Sequence, residues 1–255
     1  MSQSNIYLNY TKLTYKTKTN KPYLFIGSKI RGTFGYALKE EVCINPSYKC
    51  EGCFASTRCV FYEMFEKQNI THPYRLDFKL SNKKIKFSLF LFGSLQEHSK
   101  PIHKAMKRSL KEFTDLKTKK ATKTFIPKSK PPKLLRITLE TPLRIKQNNH
   151  LATKDLSIVE LCSSIHRRYN ALVNEEKKTL FDEPQIISKH LYFQNIKRRS
   201  NKQKRMMDFG GLMGEIVIAN PSKEVYEMLQ IGEVIGAGKS TVFGLGKIKL
   251  KEIHV

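Results

Sequence analysis

Near the end of the chain, Gly236-Ala237-Gly238-Lys239-Ser240-Thr241-Val242-Phe243-Gly244-Leu245-Gly246 sets two Gly-x-Gly pairs five residues apart. Lys239, Ser240 and Thr241 lie between them. Glycine permits φ > 0 and lets another backbone come close. Runs of exposed backbone N–H groups in such loops form anion-binding concavities. The chain holds 47 Lys and Arg against 22 Asp and Glu, a formal net charge of +25. The anion such a loop would take is therefore nucleic-acid phosphate, held at Gly236, Gly238, Lys239, Ser240, Gly244 and Gly246. A plain glycine-rich turn is the other reading. The Gly238-Lys239-Ser240 triplet is not a nucleotide-binding P-loop, because Glu233 stands where the first glycine belongs and a strand, not a helix, follows. No nucleotide cofactor is expected.

A second basic stretch runs Lys197-Arg198-Arg199-Ser200-Asn201-Lys202-Gln203-Lys204-Arg205, six cations in nine residues, ahead of Gly210-Gly211. As a loop it would grip phosphates through Arg198, Arg199, Lys204 and Arg205, where a solvated loop is the plainer reading. Seven histidines are available for proton transfer. His166 flanks the apolar stripe of a helix and precedes Arg167 and Arg168. An imidazole beside two guanidiniums is a candidate acid or base next to phosphate clamps, with its pKa depressed by the cations. His190, just before the basic stretch, is the next candidate. Asp77, Asp155 and Asp208 are scattered, so no paired carboxylates for two-metal nuclease chemistry are seen.

Four of the five cysteines fall within 17 residues, as Cys43-x6-Cys50-x2-Cys53-x5-Cys59. In a reducing compartment this density points to metal thiolates before disulfides. Four thiolates would close a tetrahedral site and leave no open position, so the ion would be structural. Zinc comes first, metal-free thiols second and an iron–sulfur cluster third. No catalytic metal is expected. Cys162 lies on the apolar stripe Ile158, Cys162, Ile165, Tyr169, Leu172 and reads as packed.

The elements that must position these residues follow from periodicity. Ile6–Tyr15 alternates as a strand, and Ser28–Val42 fits a helix opened by a Ser cap. Arg75–Leu80 and Ile85–Phe92 read as a hairpin, Gln96–Phe113 as a basic helix, and Lys123–Ile126 as a strand. Lys117–Lys133, with seven lysines and three prolines, suits a linker. The pattern then restarts: a strand at Leu134–Ile145, a helix at Asp155–Val173, strands at Leu191–Ile196 and Gly214–Ala219, a helix at Pro221–Leu229, and a strand at Gly246–Ile253. The expected fold is α+β, two tandem ferredoxin-like (RRM-like) domains over residues 1–130 and 131–255, with a cysteine-rich metal-binding insertion in the first. No stretch of about 18 apolar residues could span a bilayer, and residues 1–7 lack a signal-peptide layout. A cytoplasmic protein without a membrane partner is expected.

These residues carry a resemblance. The glycine loop running into a last strand resembles the signature of the RAMP superfamily. More closely, the chain resembles the CRISPR repeat-RNA-processing endoribonucleases, the Cas-six family. Ile30-Arg31-Gly32-Thr33-Phe34-Gly35-Tyr36-Ala37-Leu38 is similar to that family's early Arg-Gly helix. Cys43–Phe65 resembles the cysteine segment of one branch, Arg167-Arg168 its helical Arg pair, and Arg199–Gly214 its basic segment with Gly-Gly-x-x-Gly. The resemblance implies metal-independent cleavage within CRISPR repeats by 2′-hydroxyl attack, leaving a 2′,3′-cyclic phosphate and a 5′-hydroxyl, with Arg31 among the RNA contacts. Several branches carry a His near the first helix. Here that helix holds no His, and Tyr36 and Lys39 are its candidates for proton transfer, which makes Tyr36 a third catalytic candidate and favours His166. The implied partners are repeat RNA and CRISPR effector subunits. The alternative is a non-catalytic RAMP subunit that binds CRISPR RNA.

Overall fold

The computed structural model describes residues 6–18, 26–80, 84–147, 150–200 and 205–254. The chain divides into two compact units, one of residues 9–124 and one of residues 125–255 joined by the first eight residues.

The N-terminal unit begins with β1 (Leu8–Lys18), whose burial alternates as its apolar pattern requires. Helix α1 (Gly27–Val42) buries Ile30, Phe34, Ala37 and Leu38 along one stripe. Its cap position is Ile26, without a side-chain cap, so Ser28 lies inside the helix rather than opening it. β2 (Tyr74–Leu80) and β3 (Lys84–Phe92) form the expected hairpin, and β1 pairs antiparallel with β3. Helix α2 (Ser99–Ser109) is shorter than the expected Gln96–Phe113 and buries Ile102, Ala105 and Met106. The stretch read as a linker is, up to Phe125, the twelve-residue β4 (Thr114–Phe125). It lies at the edge of the sheet, in the order β2-β3-β1-β4. Pairing with β1 overrides the poor strand propensity of its lysines, which suit an edge because they repel a further strand.

In the C-terminal unit, β5 (Leu134–Leu143) leads into a two-residue ribbon, β6 (Lys146–Gln147) with β7 (His150–Leu151). Helix α3 (Ile158–Val173) is capped by Ser157, which accepts from the Glu160 N–H, and by the Glu183 carboxylate, which accepts from the N–H groups of Ile158 and Val159. β8 (Gln185–Gln194) starts earlier than expected. The basic segment is a ribbon rather than a loop, β9 (Lys197–Ser200) against β10 (Arg205–Asp208). β11 (Gly211–Ala219), α4 (Lys223–Ile235) and β12 (Ile248–Ile253) complete the unit. The sheet order is β12-β5-β11-β8, antiparallel at every pair. Each unit thus runs β-α-β-β-α-β, and its four strands take the same spatial order.

Candidate nucleic-acid interface

The glycine loop leaves α4 at Gly236 and is stitched to the rest of its unit by backbone bonds. The Ala237 N–H donates to the Gly246 carbonyl at 2.9 Å, the Lys239 N–H to the Arg144 carbonyl at 2.9 Å, and the Gly246 N–H to the Pro142 carbonyl at 3.0 Å. The Gly238 N–H donates to the Ser164 hydroxyl at 3.2 Å, and the Gly244 N–H to the Thr241 carbonyl at 3.0 Å. The anion cradle expected of Gly236, Gly238, Gly244 and Gly246 therefore gives way, because these donors already serve protein acceptors. The glycines instead permit close packing. At Gly238 (φ +69°) an added Cβ would lie 2.5 Å from the Arg144 carbonyl oxygen. Of the loop's polar side chains, Lys239 is exposed and Ser240 half-buried, while Thr241 is buried.

Sequence reasoning misses Arg144. It follows β5, donates Nη1 to the Gly210 carbonyl at 2.6 Å and stands 5.9 Å from the Phe209 ring. Phe209 meets Phe243 edge-on at 5.0 Å. Arg144 thus ties the glycine loop to the Gly210-Gly211 turn. Its only sequence signal is a cation at the end of the strand that pairs with both loops' strands.

Helix α3 separates its two arginines. Successive residues turn by about 100°, so Arg167 points to solvent while Arg168, 9% exposed, donates Nε to the Ile235 carbonyl at 2.9 Å. Arg168 holds the end of α4 rather than presenting a cation. His166 is also 9% exposed and meets Phe181 edge-on at 5.7 Å. Burial, and then Lys177, lowers its pKa; no guanidinium contributes. The expected imidazole beside two phosphate-clamping guanidiniums is not formed, because Arg168 is turned inward. His190 is exposed on β8, opposite Glu215, and Tyr192, 55% exposed, shares its face two residues on. An open aromatic beside an imidazole is a surface on which a base can stack. On the ribbon, Arg198 pairs with Met207, Arg199 with Met206 and Arg205 with Ser200. Lys204 lies outside the described residues.

In the N-terminal unit, Arg31 donates Nε to the Tyr74 hydroxyl at 3.0 Å, with its guanidinium 4.7 Å from the Phe65 ring centre. His72 stands 6.0 Å, ring to ring, from Tyr74, a neighbourhood that spacing along the sequence does not reveal. Tyr36 on α1 is 74% exposed. Cys43, Cys50, Cys53 and Cys59 are free and half-buried, and all line one cavity of about 240 Å³. The Cys53 N–H closes a turn onto the Cys50 carbonyl at 3.3 Å, with Gly52 at φ +64°. Burial raises the Cys50 thiol pKa against the opposing Lys39. Among the described residues no three His, Cys, Asp or Glu side chains are placed to hold a metal ion. Among those residues no helix is long and apolar enough to cross a membrane.

Residues 137–248 match the family model for the CRISPR-associated endoribonuclease Cas6. Residues 8–126 match a second model, described as an N-terminal domain. No curated protein sequence matches the chain. Among solved structures, Thermus thermophilus Cas6, in a product complex, aligns with a TM-score of 0.58 at 12% identity, over 95% of this chain and 99% of that one. A Cas6 substrate-mimic complex aligns with a TM-score of 0.53 at 15% identity, over 94% and 99%. A partial Cas6-RT-Cas1–Cas2 complex aligns with a TM-score of 0.57 at 12% identity, over 97% of this chain and 47% of that one.

Proposed function

We propose that this chain, a member of the CRISPR-associated endoribonuclease Cas6 family through residues 137–248, cleaves CRISPR RNA within its repeats by a metal-independent reaction. The observation that carries the reading is that the matched segment is the unit presenting Lys239 and Arg167 to solvent, with Arg144 locked beneath the glycine loop. Each unit is read as ferredoxin-like, with the cysteine segment inserted between α1 and β2.

In the reaction, the ribose 2′-hydroxyl oxygen attacks the adjacent phosphorus as the bond from phosphorus to the 5′ oxygen breaks. A base takes the 2′-hydroxyl proton, and an acid supplies one to the leaving 5′ oxygen. The products are a 2′,3′-cyclic phosphate and a 5′-hydroxyl. Lys239, Arg167 and the arginines of the β9–β10 ribbon supply positive charge where the phosphorane becomes more negative. His190, exposed beside Tyr192, takes precedence as base over the buried His166, with Tyr36 third. The partners are repeat RNA and CRISPR proteins, a reading supported by the aligned product, substrate-mimic and Cas6-RT-Cas1–Cas2 complexes.

The cysteine cavity suits a structural ion by its chemistry, four thiols and a Cys-x-x-Cys turn, although the sulfurs as they stand do not converge. Cys43, Cys50, Cys53 and Cys59 would hold zinc, or less readily an iron–sulfur cluster, and the ion would brace the insertion. Elemental analysis of purified protein tests this. One metal per chain, lost with Cys50→Ser, supports it, and a metal-free folded protein overturns it.

The activity is tested with end-labelled repeat RNA in excess EDTA, beside a control RNA carrying 2′-deoxy at the cut. A single cut, abolished by the deoxy substitution and slowed about 100-fold or more by His190→Ala, is expected. Tight binding without a cut would make the chain a non-catalytic RNA-binding subunit.

A further inference from the structure

A second concentration of cations lies in the N-terminal unit, outside the segment matched by the Cas6 model. Lys100, Lys104, Lys107, Arg108 and Lys111 recur every three or four residues along α2 and just past its end. That spacing puts them on one helix face, opposite the buried Ile102, Ala105 and Met106. With Glu41 and His103 they line an open groove of about 650 Å³. Two of the five are neutralised: Lys104 reaches Glu41 at 2.7 Å, and Arg108 reaches Glu40 at 2.7 Å. Lys100, Lys107 and Lys111 are exposed and make no ion pair among the described residues.

The side of the groove is built rather than loose. The His103 Nδ1 and the hydroxyl of the fully buried Tyr15 share a hydrogen bond of 2.9 Å. Lys120, from β4, donates to the Ser99 hydroxyl at 2.7 Å, which brings a further cation to the start of the same helix. Burial first, then Lys107 and Lys120, lowers the His103 pKa.

A solvated basic face is the simple alternative, and Lys107 and Arg108 in the last turn suit the dipole, but the rest of the arrangement works against the helix. Lys100 lies in the first turn, where no acid is present and the helix dipole disfavours a cation. Lys107 and Lys111, four residues apart across the end of the helix and neither of them ion-paired among the described residues, repel one another. A polyanion lying along the face would relieve both effects. From Lys100 to Lys111 the face runs about 16 Å, long enough to reach more than one phosphate.

We propose that this α2 face is a second RNA site, a groove in which Lys100, Lys107 and Lys111 hold phosphates of the single-stranded RNA that flanks the repeat. The proposal rests on RNA being the substrate of this chain and adds a surface outside residues 137–248. The contacts are to backbone phosphates, so the site is indifferent to base sequence and sensitive to salt.

The test compares the full-length wild type with a Lys100→Gln/Lys107→Gln/Lys111→Gln variant. Two RNAs are used, the repeat alone and the repeat with its flanks, over a range of KCl. Losing three phosphate contacts should lower the slope of log affinity against log salt by about 2 for the flanked RNA. Affinity for the bare repeat and the cleavage rate at saturating RNA should stay as in wild type, and Tm should hold or rise, since the substitution relieves the unfavourable charge along the helix. As a second readout, the flanked RNA should raise the His103 titration midpoint in the wild type but not in the variant. If wild type cuts the repeat and the variant keeps the wild-type slope on flanked RNA, the groove proposal is overturned while the cleavage reading stands. If wild type binds neither RNA, both are overturned.

Discussion

Arg167 and Arg168 adjoin in sequence and serve different ends. Arg167→Ala should leave Tm unchanged and lower the salt slope of RNA binding by about 0.7, the share of one phosphate contact on a single strand. Arg168→Ala removes a buried charge-assisted bond to the Ile235 carbonyl, and thermal denaturation should show a loss of about 1.5–3 kcal/mol. Equal effects of the two substitutions on Tm would refute the division. His166 makes a pH prediction. Burial holds its folded pKa below the unfolded value of about 6.5. The unfolded chain then takes a proton more readily, so the contribution is whole above about pH 6.5 and is lost as pH falls through the folded pKa. Tm should fall on going from neutral to acid pH, and His166→Gln should fall less steeply over that interval. Parallel curves would mean that His166 does not titrate differently on folding. His103, also lowered, adds a slope of the same sign that the substitution leaves in place.

At the scale of elements, the glycine loop and β4 show opposite uses of backbone. Gly238 pairs φ +69° with an approach that puts an added Cβ 2.5 Å from a carbonyl oxygen. Gly238→Ala should therefore cost about 1–3 kcal/mol, read as a lowered denaturant midpoint, with RNA affinity reduced because Lys239 is displaced. Gly32, in α1 with nothing within 4 Å of its Cβ position, is the control: Gly32→Ala should stabilise by about 0.5–1 kcal/mol. β4 is an exposed edge whose lysines stand against further pairing. Replacing Lys117, Lys119 and Lys123 by Val should leave a folded chain that self-associates in size-exclusion chromatography with light scattering. A monomeric triple variant would show that the edge is guarded by something other than charge.

For the whole molecule the governing quantity is the +25 net charge. Like charges repel in the folded state, and RNA that binds only the folded chain stabilises it by mass action. Repeat RNA should raise Tm in the presence of EDTA, and the rise should shrink with added KCl as counterion release weakens. A Tm indifferent to RNA at low salt would remove the polyanion from the account of this composition.

The succession of elements and the excess of positive charge are legible in the amino-acid order itself. Apolar periodicities of about 3.6 and 2 are local, so α1, β1, β3 and α3 can be read from short windows, and the β-α-β-β-α-β order can be read twice. The excess of Lys and Arg points to a polyanion without any fold, because net charge is a property of composition. Which way each group faces, and what already holds it, is set by packing alone. That the amides around the glycine loop donate inward depends on Arg144, Pro142 and Ser164, which come near the loop only when β5 and α3 pack beside it. That Thr114–Phe125 is an edge strand rather than a linker depends on β1, at the opposite end of the same unit's sequence. Helix phase and strand pairing with distant partners turn Arg168 inward, leave His190 and Tyr192 open on β8, and gather four cysteines around one cavity without bringing their sulfurs together. Spacing along a chain records which residues can be neighbours, and packing selects which of them are.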